Sequence, residues 1–230
     1  MSRDWHLDER AHAGPEHLDE GYVSGYERKA GFDPTEDVEL LRVHGLRRDS
    51  TVVDVGAGTG VFAAAIAAHC GRVVAVDVSP AMLAALRARA EVVTNLEVVE
   101  AGFLTYEHAG GPADVVYTRH ALHQLPDFWK AVALARITAM LRPGGLLRLR
   151  DLVYDFDPGA VSERVEHWLG GATSDPSAGW TAAELATHVR DEHSTFSWLL
   201  EAMLERTGYE ILDRSTSRGL YAAYTCRRRA

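Results

Sequence analysis

The stretch "VVDVGAGTGVFAAAIA", residues 52–67, decides how the rest of the chain is read. A β-branched run breaks into glycines at Gly56, Gly58 and Gly60, with Asp54 two residues before the first, and an alanine-rich apolar run follows. This is a strand, a turn and a helix in succession. Glycine lets the turn bend sharply and lets a ligand approach without meeting a Cβ. The helix start presents free N–H groups and a partial positive charge. The turn Gly56-Ala57-Gly58-Thr59-Gly60 is therefore a candidate nucleotide cradle. A dinucleotide loop, G-x-G-x-x-G, needs its third glycine where Val61 stands, so the spacing argues against NAD.

Working outward, strand-like and helical runs alternate. "RVVAVDV" is a second strand, and "SPAMLAALRARA" is a helix with Ser79 as N-cap and Pro80 at its first position. "NLEVVEA", "ADVVYTR" and "LLRLRDLV" are the third, fourth and fifth strands. "DFWKAVALARITAMLRPGG" is a long helix closed by Pro143 and two glycines. Near-continuous Val/Leu strands are expected where helices cover both faces of a parallel sheet. After residue 153 the rhythm changes. Asp, Pro, Gly and Ser surround the helical fragments "VSERVEHWL" and "TAAELATHVRDE". Then "STFSWLLEAMLERTGYEI" reads as a helix capped by Gly208 and running into a strand, and "DRSTSRGLYAAYTC" as a hairpin turning at Arg218-Gly219. The prediction is an α/β, doubly wound, mostly parallel seven-stranded sheet with an antiparallel C-terminal hairpin. It forms one domain: an N-terminal helical lid (1–48), a cofactor-binding core (51–153), an acceptor-binding insertion (154–193) and a C-terminal helix and hairpin (194–230).

The whole chain has 230 residues, 47% hydrophobic and 25% charged, with a formal net charge of −9. That balance argues against nucleic acid or an anionic membrane as partner, because phosphate neutralisation needs basic clusters. The run Arg227, Arg228 and Arg229 reads as a solvated end. Cys70 and Cys226 are too few for a disulfide scaffold or a structural zinc site and read as small buried hydrophobes. The start "MSRDWHLDERAHAG" has no apolar leader segment, and the expected location is cytoplasmic.

With Asp54, the glycines and an acid ending the second strand, Asp77, in place, the sequence resembles the class I S-adenosylmethionine-dependent methyltransferases, in their small-molecule branch. "DVGAGTG" matches their first motif and "VAVDVSPAML" their second. "YTRHALHQLPDFWKAVALARITAMLRPGGLLRL" is similar to their fourth strand, loop, helix and Pro-Gly-Gly turn. The resemblance implies S-adenosylmethionine as cofactor and S-adenosylhomocysteine as product. Asp77 would accept both ribose hydroxyls, Asp54 would help bind the methionine ammonium, and the Arg119 backbone carbonyl would accept from that ammonium. Family members often carry an aspartate after the third strand for the adenine amino group. Here that place is Gly102, so adenine recognition falls to backbone at Gly102 and Phe103 and to packing near Val78 and Met82.

Ahead of the first strand, Tyr22, Tyr26 and Lys29 share a helix face. Tyr22 and Tyr26 either contact the cofactor as part of a lid or pack their helix on the core. Methyl transfer requires alignment, exclusion of water and removal of any acceptor proton. His120 and His123, after the fourth strand, are the candidate bases; a loop-ordering role for His123 and catalysis by proximity alone stay open. His120, Tyr154, Trp168 and Trp198 are candidate acceptor contacts in an aromatic insertion, or the insertion's own small core. His6, His12, His17, His167 and His193 show no tight ligand spacing, so no metal is expected. The sequence therefore predicts a methyltransferase acting on a small-molecule acceptor. A protein acceptor, or a non-catalytic S-adenosylmethionine-binding protein, are the alternatives, and the oligomeric state is open.

Overall fold

The computed structural model describes residues 5–18 and 20–230; the side chains at 15, 16, 20, 22 and 24 lie outside that description. A short 3-10 turn (Pro15–Leu18) leads into α1 (Glu20–Ala30) and α2 (Thr35–Val43). The core follows as β1 (Thr51–Val55), α3 (Val61–Ala67), β2 (Arg72–Asp77), α4 (Pro80–Ala90), β3 (Leu96–Glu100), β4 (Ala113–Arg119), α5 (Asp127–Met140) and β5 (Leu141–Tyr154). The insertion holds α6 (Val161–Gly170) and α7 (Ala182–Asp191). The chain ends with β6 (Thr195–Phe196), α8 (Ser197–Arg206), β7 (Tyr209–Ser217) and β8 (Tyr221–Arg228).

The sheet runs β3-β2-β1-β4-β5-β8-β7. Pairing is parallel from β3 to β5 and antiparallel at β8 and β7. This is the doubly wound, mostly parallel sheet with an antiparallel hairpin that the alternation of runs predicts. One rung is new: the two residues of β6 pair in parallel with the end of β5. The order reverses between β1 and β4, and a crevice opens there at the carboxyl ends of the strands.

Successive strand residues feed opposite cores, as the period of two requires. Val53, Val74 and Val116 pack with Leu134 and Ile137 of α5 and Leu204 of α8. Val52, Val73 and Val115 pack with Leu41 of α2, Ile66 of α3 and Leu86 of α4. Cys70 and Cys226 are buried, and the hairpin turns through left-handed Arg218 (φ 56°) and Gly219 (φ 70°). One boundary differs. Helix α5 stops at Met140, and Pro143-Gly144-Gly145 lies inside the irregular start of β5 rather than capping the helix. A Cβ on Gly145 would stand 2.9 Å from the Arg142 carbonyl and 3.1 Å from that of Asp114, so the backbones meet closely here. Among the described residues, no helix is long and apolar enough to cross a membrane.

A buried charge cluster pins α2 under the sheet. Asp37 is fully buried and accepts from Arg148 Nε (2.9 Å), Arg150 (2.8 Å) and the Tyr117 hydroxyl (2.9 Å). Arg148 and Arg150 lie two apart on β5 and so share one face, and a single carboxylate from α2 serves both.

Candidate functional site

The glycine turn is built by three different demands. Gly56 and Ala57 both donate to the Val76 carbonyl, at 2.8 and 3.0 Å, which folds the turn over the end of β2. A Cβ on Gly56 would overlap Ala121, and one on Gly60 would overlap Leu86. Gly60 has φ 83° as the N-cap of α3. It is thus a packing position rather than part of a cavity wall. Gly58 is different: at φ 55°, the only neighbour its Cβ would meet within 4 Å is Met82 Sδ, at 3.9 Å. A side chain there would occupy the space a ligand needs.

Asp77 closes the turn from the tip of β2. Its Oδ2 accepts from the Gly58 N–H and its Oδ1 from the Ser79 N–H, both at 2.8 Å. Burial raises its pKa against the lowering effect of these donors. Ser79 caps α4 by accepting from Met82 N–H (3.1 Å) and donates to the His17 carbonyl (2.6 Å), which ties the front segment to the sheet edge.

Two polar atoms in this region are buried without a hydrogen-bond partner: Oδ2 of Asp54 and Nε of Arg119. They belong to side chains that line one cavity together with Gly56, Ala57, Gly58, Thr59 and Tyr26. Burial, reinforced by the nearby Asp77 charge, holds the Asp54 carboxyl well above its usual range. Burial lowers the Arg119 pKa, and its guanidinium lies 4.0 Å over the Phe32 ring. An unsatisfied acceptor and an unsatisfied donor on side chains that line one cavity fit an amino acid's ammonium and carboxylate. The residues present therefore suit the aminoacyl end of S-adenosylmethionine, and the Arg119 side chain lines this cavity as well.

The adjoining cavity is lined by Asp77, Val78, Met82, Gly102, Phe103, Leu125 and Glu9. Glu9 is the residue sequence reasoning missed. Its carboxylate accepts from Leu104 N–H and the Thr105 hydroxyl, both at 3.0 Å, and lies where a side chain on Gly102 would be. Burial raises its pKa. A carboxylate thus does stand at the third strand's exit, carried from ninety-odd residues upstream. No local spacing could reveal it; the only signal was Gly102 itself.

Tyr26 is packed with Val23, Ala81 and Met82 and faces both of these cavities and a third. The Tyr22 side chain lies outside the described residues. Lys29 pairs with Glu184 of α7 and sits 4.6 Å over the Trp180 ring, so α1 docks on the insertion. The third cavity, about 290 Å³, is lined there by Tyr26, His120, His123, Leu152, Trp168 and Tyr221, with α7 behind.

The candidate acceptor contacts separate. Trp168 is buried in the wall of this chamber. Tyr154 packs behind it against Phe156 and Phe196 in the insertion's own core. Trp198 is 57% exposed and stacks on Phe196, outside the chamber, which corrects its placement as an acceptor contact. The cause is register: on α8 it is Leu200 and Leu204 that face the core.

The two histidines also separate. His120 adopts a left-handed backbone (φ 49°), rare for a side chain of its size, and lines both the adenine-side cavity and the chamber. Burial and the Arg119 cation push its pKa down to about 3, so the ring is neutral. His123 is buried with both ring nitrogens engaged. Nδ1 pairs with Asp151, and Nε2 lies 2.9 Å from Glu192 and 3.2 Å from Gln124. Burial opposes its charge, but Asp151 and Glu192 outweigh it and raise the pKa to about 9. A ring already holding its proton between two carboxylates is no general base, which corrects that assignment for His123. His188 of α7 joins the cluster by pairing with Glu192. The two are four apart at a helix end, in "HVRDE", a spacing that puts them on one face.

Residues 52–145 match the methyltransferase domain family. An uncharacterised methyltransferase of Mycobacterium sp. strain JLS is 35% identical over 124 residues, 53% of this chain and 46% of the relative. The chain spans less than half the length of the curated relatives it matches. Among solved structures, magnesium protoporphyrin IX methyltransferase from Synechocystis PCC 6803 with bound S-adenosylmethionine superposes with a TM-score of 0.65 at 14% identity, over 98% of this chain and 100% of that one. The N-methyltransferase NodS from Bradyrhizobium japonicum superposes at 0.59 and 18% identity, over 85% and 96%. At these identities the likeness is one of fold. Over residues 52–145 the chain is thus similar to the methyltransferase domain family, on a fold it shares with a methyltransferase solved with S-adenosylmethionine bound.

Proposed function

We propose that this protein transfers the methyl group of S-adenosylmethionine to a small molecule held in the chamber between α1, α7 and the end of β5. The observation that carries the reading is that Tyr26, His17 and His120 line both the cofactor-side cavity and the chamber, so the two spaces meet at these residues. When bound, the cofactor supplies a sulfonium-activated methyl carbon. Asp54 and Arg119 would hold its aminoacyl end, Asp77 its ribose, and Glu9 with Phe103 and Met82 its adenine. The chain's remaining task is alignment in a dry site. Trp168, Tyr221 and Leu152 give the chamber an apolar wall. Neutral His120 stands at the junction, where its ring can accept a hydrogen bond that orients the acceptor, though at a pKa of about 3 it is too weak a base to keep the acceptor's proton. A cavity of about 290 Å³, beside which Lys29 of α1 pairs with Glu184 of its lining, favours a small acceptor above a protein surface.

Labelled S-adenosylmethionine and a panel of small phenols, amines, thiols and carboxylates test this. Transfer to at least one member is expected. His120→Asn, a residue type that tolerates the left-handed backbone, is expected to lower kcat about 100-fold while leaving donor affinity within about twofold. Because the ring is neutral down to about pH 3, no rate loss from His120 protonation is expected between pH 5 and 8. No turnover with any member, or label found only on added protein, contradicts the reading.

A further inference from the structure

One cluster in the chamber wall is left unused by the alignment chemistry. His123 Nε2, His188 Nδ1 and Glu192 Oε2 converge, all within 4.8 Å of one another. Nε2 of His123 is 2.9 Å from that carboxylate oxygen, and His188 Nδ1 meets the same oxygen. Tetrahedral zinc with bonds near 2.0–2.1 Å sets its ligand atoms about 3.3 Å apart, so small outward shifts would admit an ion.

The surroundings carry the case further. A ligating histidine is normally oriented through its other nitrogen. Here Nδ1 of His123 is held by Asp151, and Nε2 of His188 is held by the Ser194 hydroxyl at 2.8 Å. Both rings thus turn a single nitrogen each toward the shared oxygen. Asp151 Oδ2 also accepts from the His123 N–H (2.9 Å), and the His193 N–H donates to the His123 carbonyl (2.9 Å). Lys130, buried, fixes the next carbonyl by donating to that of His193 and pairs with Asp127. The three side chains therefore stand on a stitched frame formed by the loop after β4 and the end of α7. All three line the chamber.

We propose that His123, His188 and Glu192 form a divalent transition-metal site of the zinc type, with its open position facing the chamber. Two imidazoles and one carboxylate suit such an ion, and three protein ligands leave room for a fourth group. That fourth group is the acceptor, so the proposal rests on the chamber being the acceptor site and narrows the acceptor class to hydroxyl and thiol compounds. When the ion enters it replaces the Nε2 proton of His123, which leaves to solvent; on ligation of the acceptor its O–H or S–H bond breaks, a metal–oxygen or metal–sulfur bond forms, and that proton also leaves to solvent. This replaces the expectation that the protein holds no metal.

The test is titration of chelator-treated protein with Co²⁺, read by its visible absorption, and competition by Zn²⁺. The wild type is expected to take up one equivalent, displaced by Zn²⁺. His188→Ala and Glu192→Gln are expected to weaken uptake by about 100-fold or more, while each still binds S-adenosylhomocysteine in calorimetry, which shows the fold intact. Adding the acceptor class as a simple phenol or thiol is expected to shift the cobalt bands. Wild-type protein that takes up no cobalt, or variants that bind it as well as wild type, would overturn the site. Cobalt uptake in a protein that ignores S-adenosylhomocysteine would leave the metal site standing and sink the methyltransferase reading instead.

Discussion

Replacing Asp77 by alanine is expected to weaken S-adenosylhomocysteine binding about 100-fold, measured by calorimetry. The carboxylate stands at the tip of β2 beside the only glycine of the turn whose missing side chain leaves open space. Each hydrogen bond to a charged group contributes about 1.5–3 kcal/mol, and two ribose hydroxyls acting on one carboxylate would lose about 3 kcal/mol together. The same oxygens accept from Gly58 and Ser79, so alanine also loosens the turn. Asp77→Asn separates the two effects. It keeps one acceptor oxygen and nearly the same shape, and is expected to lose about tenfold. Affinity unchanged in the alanine variant would remove Asp77 from the cofactor site.

Asp37→Ala is expected to destabilise the protein by about 3–5 kcal/mol, lowering the melting temperature followed by circular dichroism by about 10 °C for a chain of this size. The carboxylate is fully buried and answers two arginines and a tyrosine hydroxyl. Its removal leaves Arg148, itself 3% exposed, as a buried cation without its carboxylate partner. A like-sized apolar core would cost nothing comparable; the loss comes from breaking half of a set. The Tyr117 hydroxyl, whose pKa burial and Asp37 raise together, also loses its acceptor. A melting temperature within a degree or two of wild type would show that the cluster is not the anchor of α2.

The sheet was legible because parallel strands buried on both faces read as unbroken Val/Leu runs, and because the helices between them carry their own stops, such as Ser79-Pro80 at the start of α4. The glycine turn and the acid that closes it were legible for a related reason: glycine spacing and an acid at a strand tip are local in sequence. What escaped was non-local. Glu9 reaches Gly102, Asp37 reaches Arg148 and Arg150, and Glu192 reaches His123 across folded distance, and no window of sequence holds both partners. Arg148 and Arg150, two apart in a buried strand, did announce that some acid must meet them, though not which. Trp198 misled because composition marks an aromatic segment without saying which helix face is wet. His120 and His123 looked alike in "TRHALHQ" and differ because one neighbours a guanidinium and the other two carboxylates.

The account depends on the sheet edge holding a methyl donor rather than a dinucleotide. Parallel calorimetric titrations of wild-type protein with S-adenosylhomocysteine and NAD test this most directly. One molecule of S-adenosylhomocysteine per chain and no heat from NAD is the result the account predicts. Binding of NAD, or no binding of S-adenosylhomocysteine by folded protein, would contradict it.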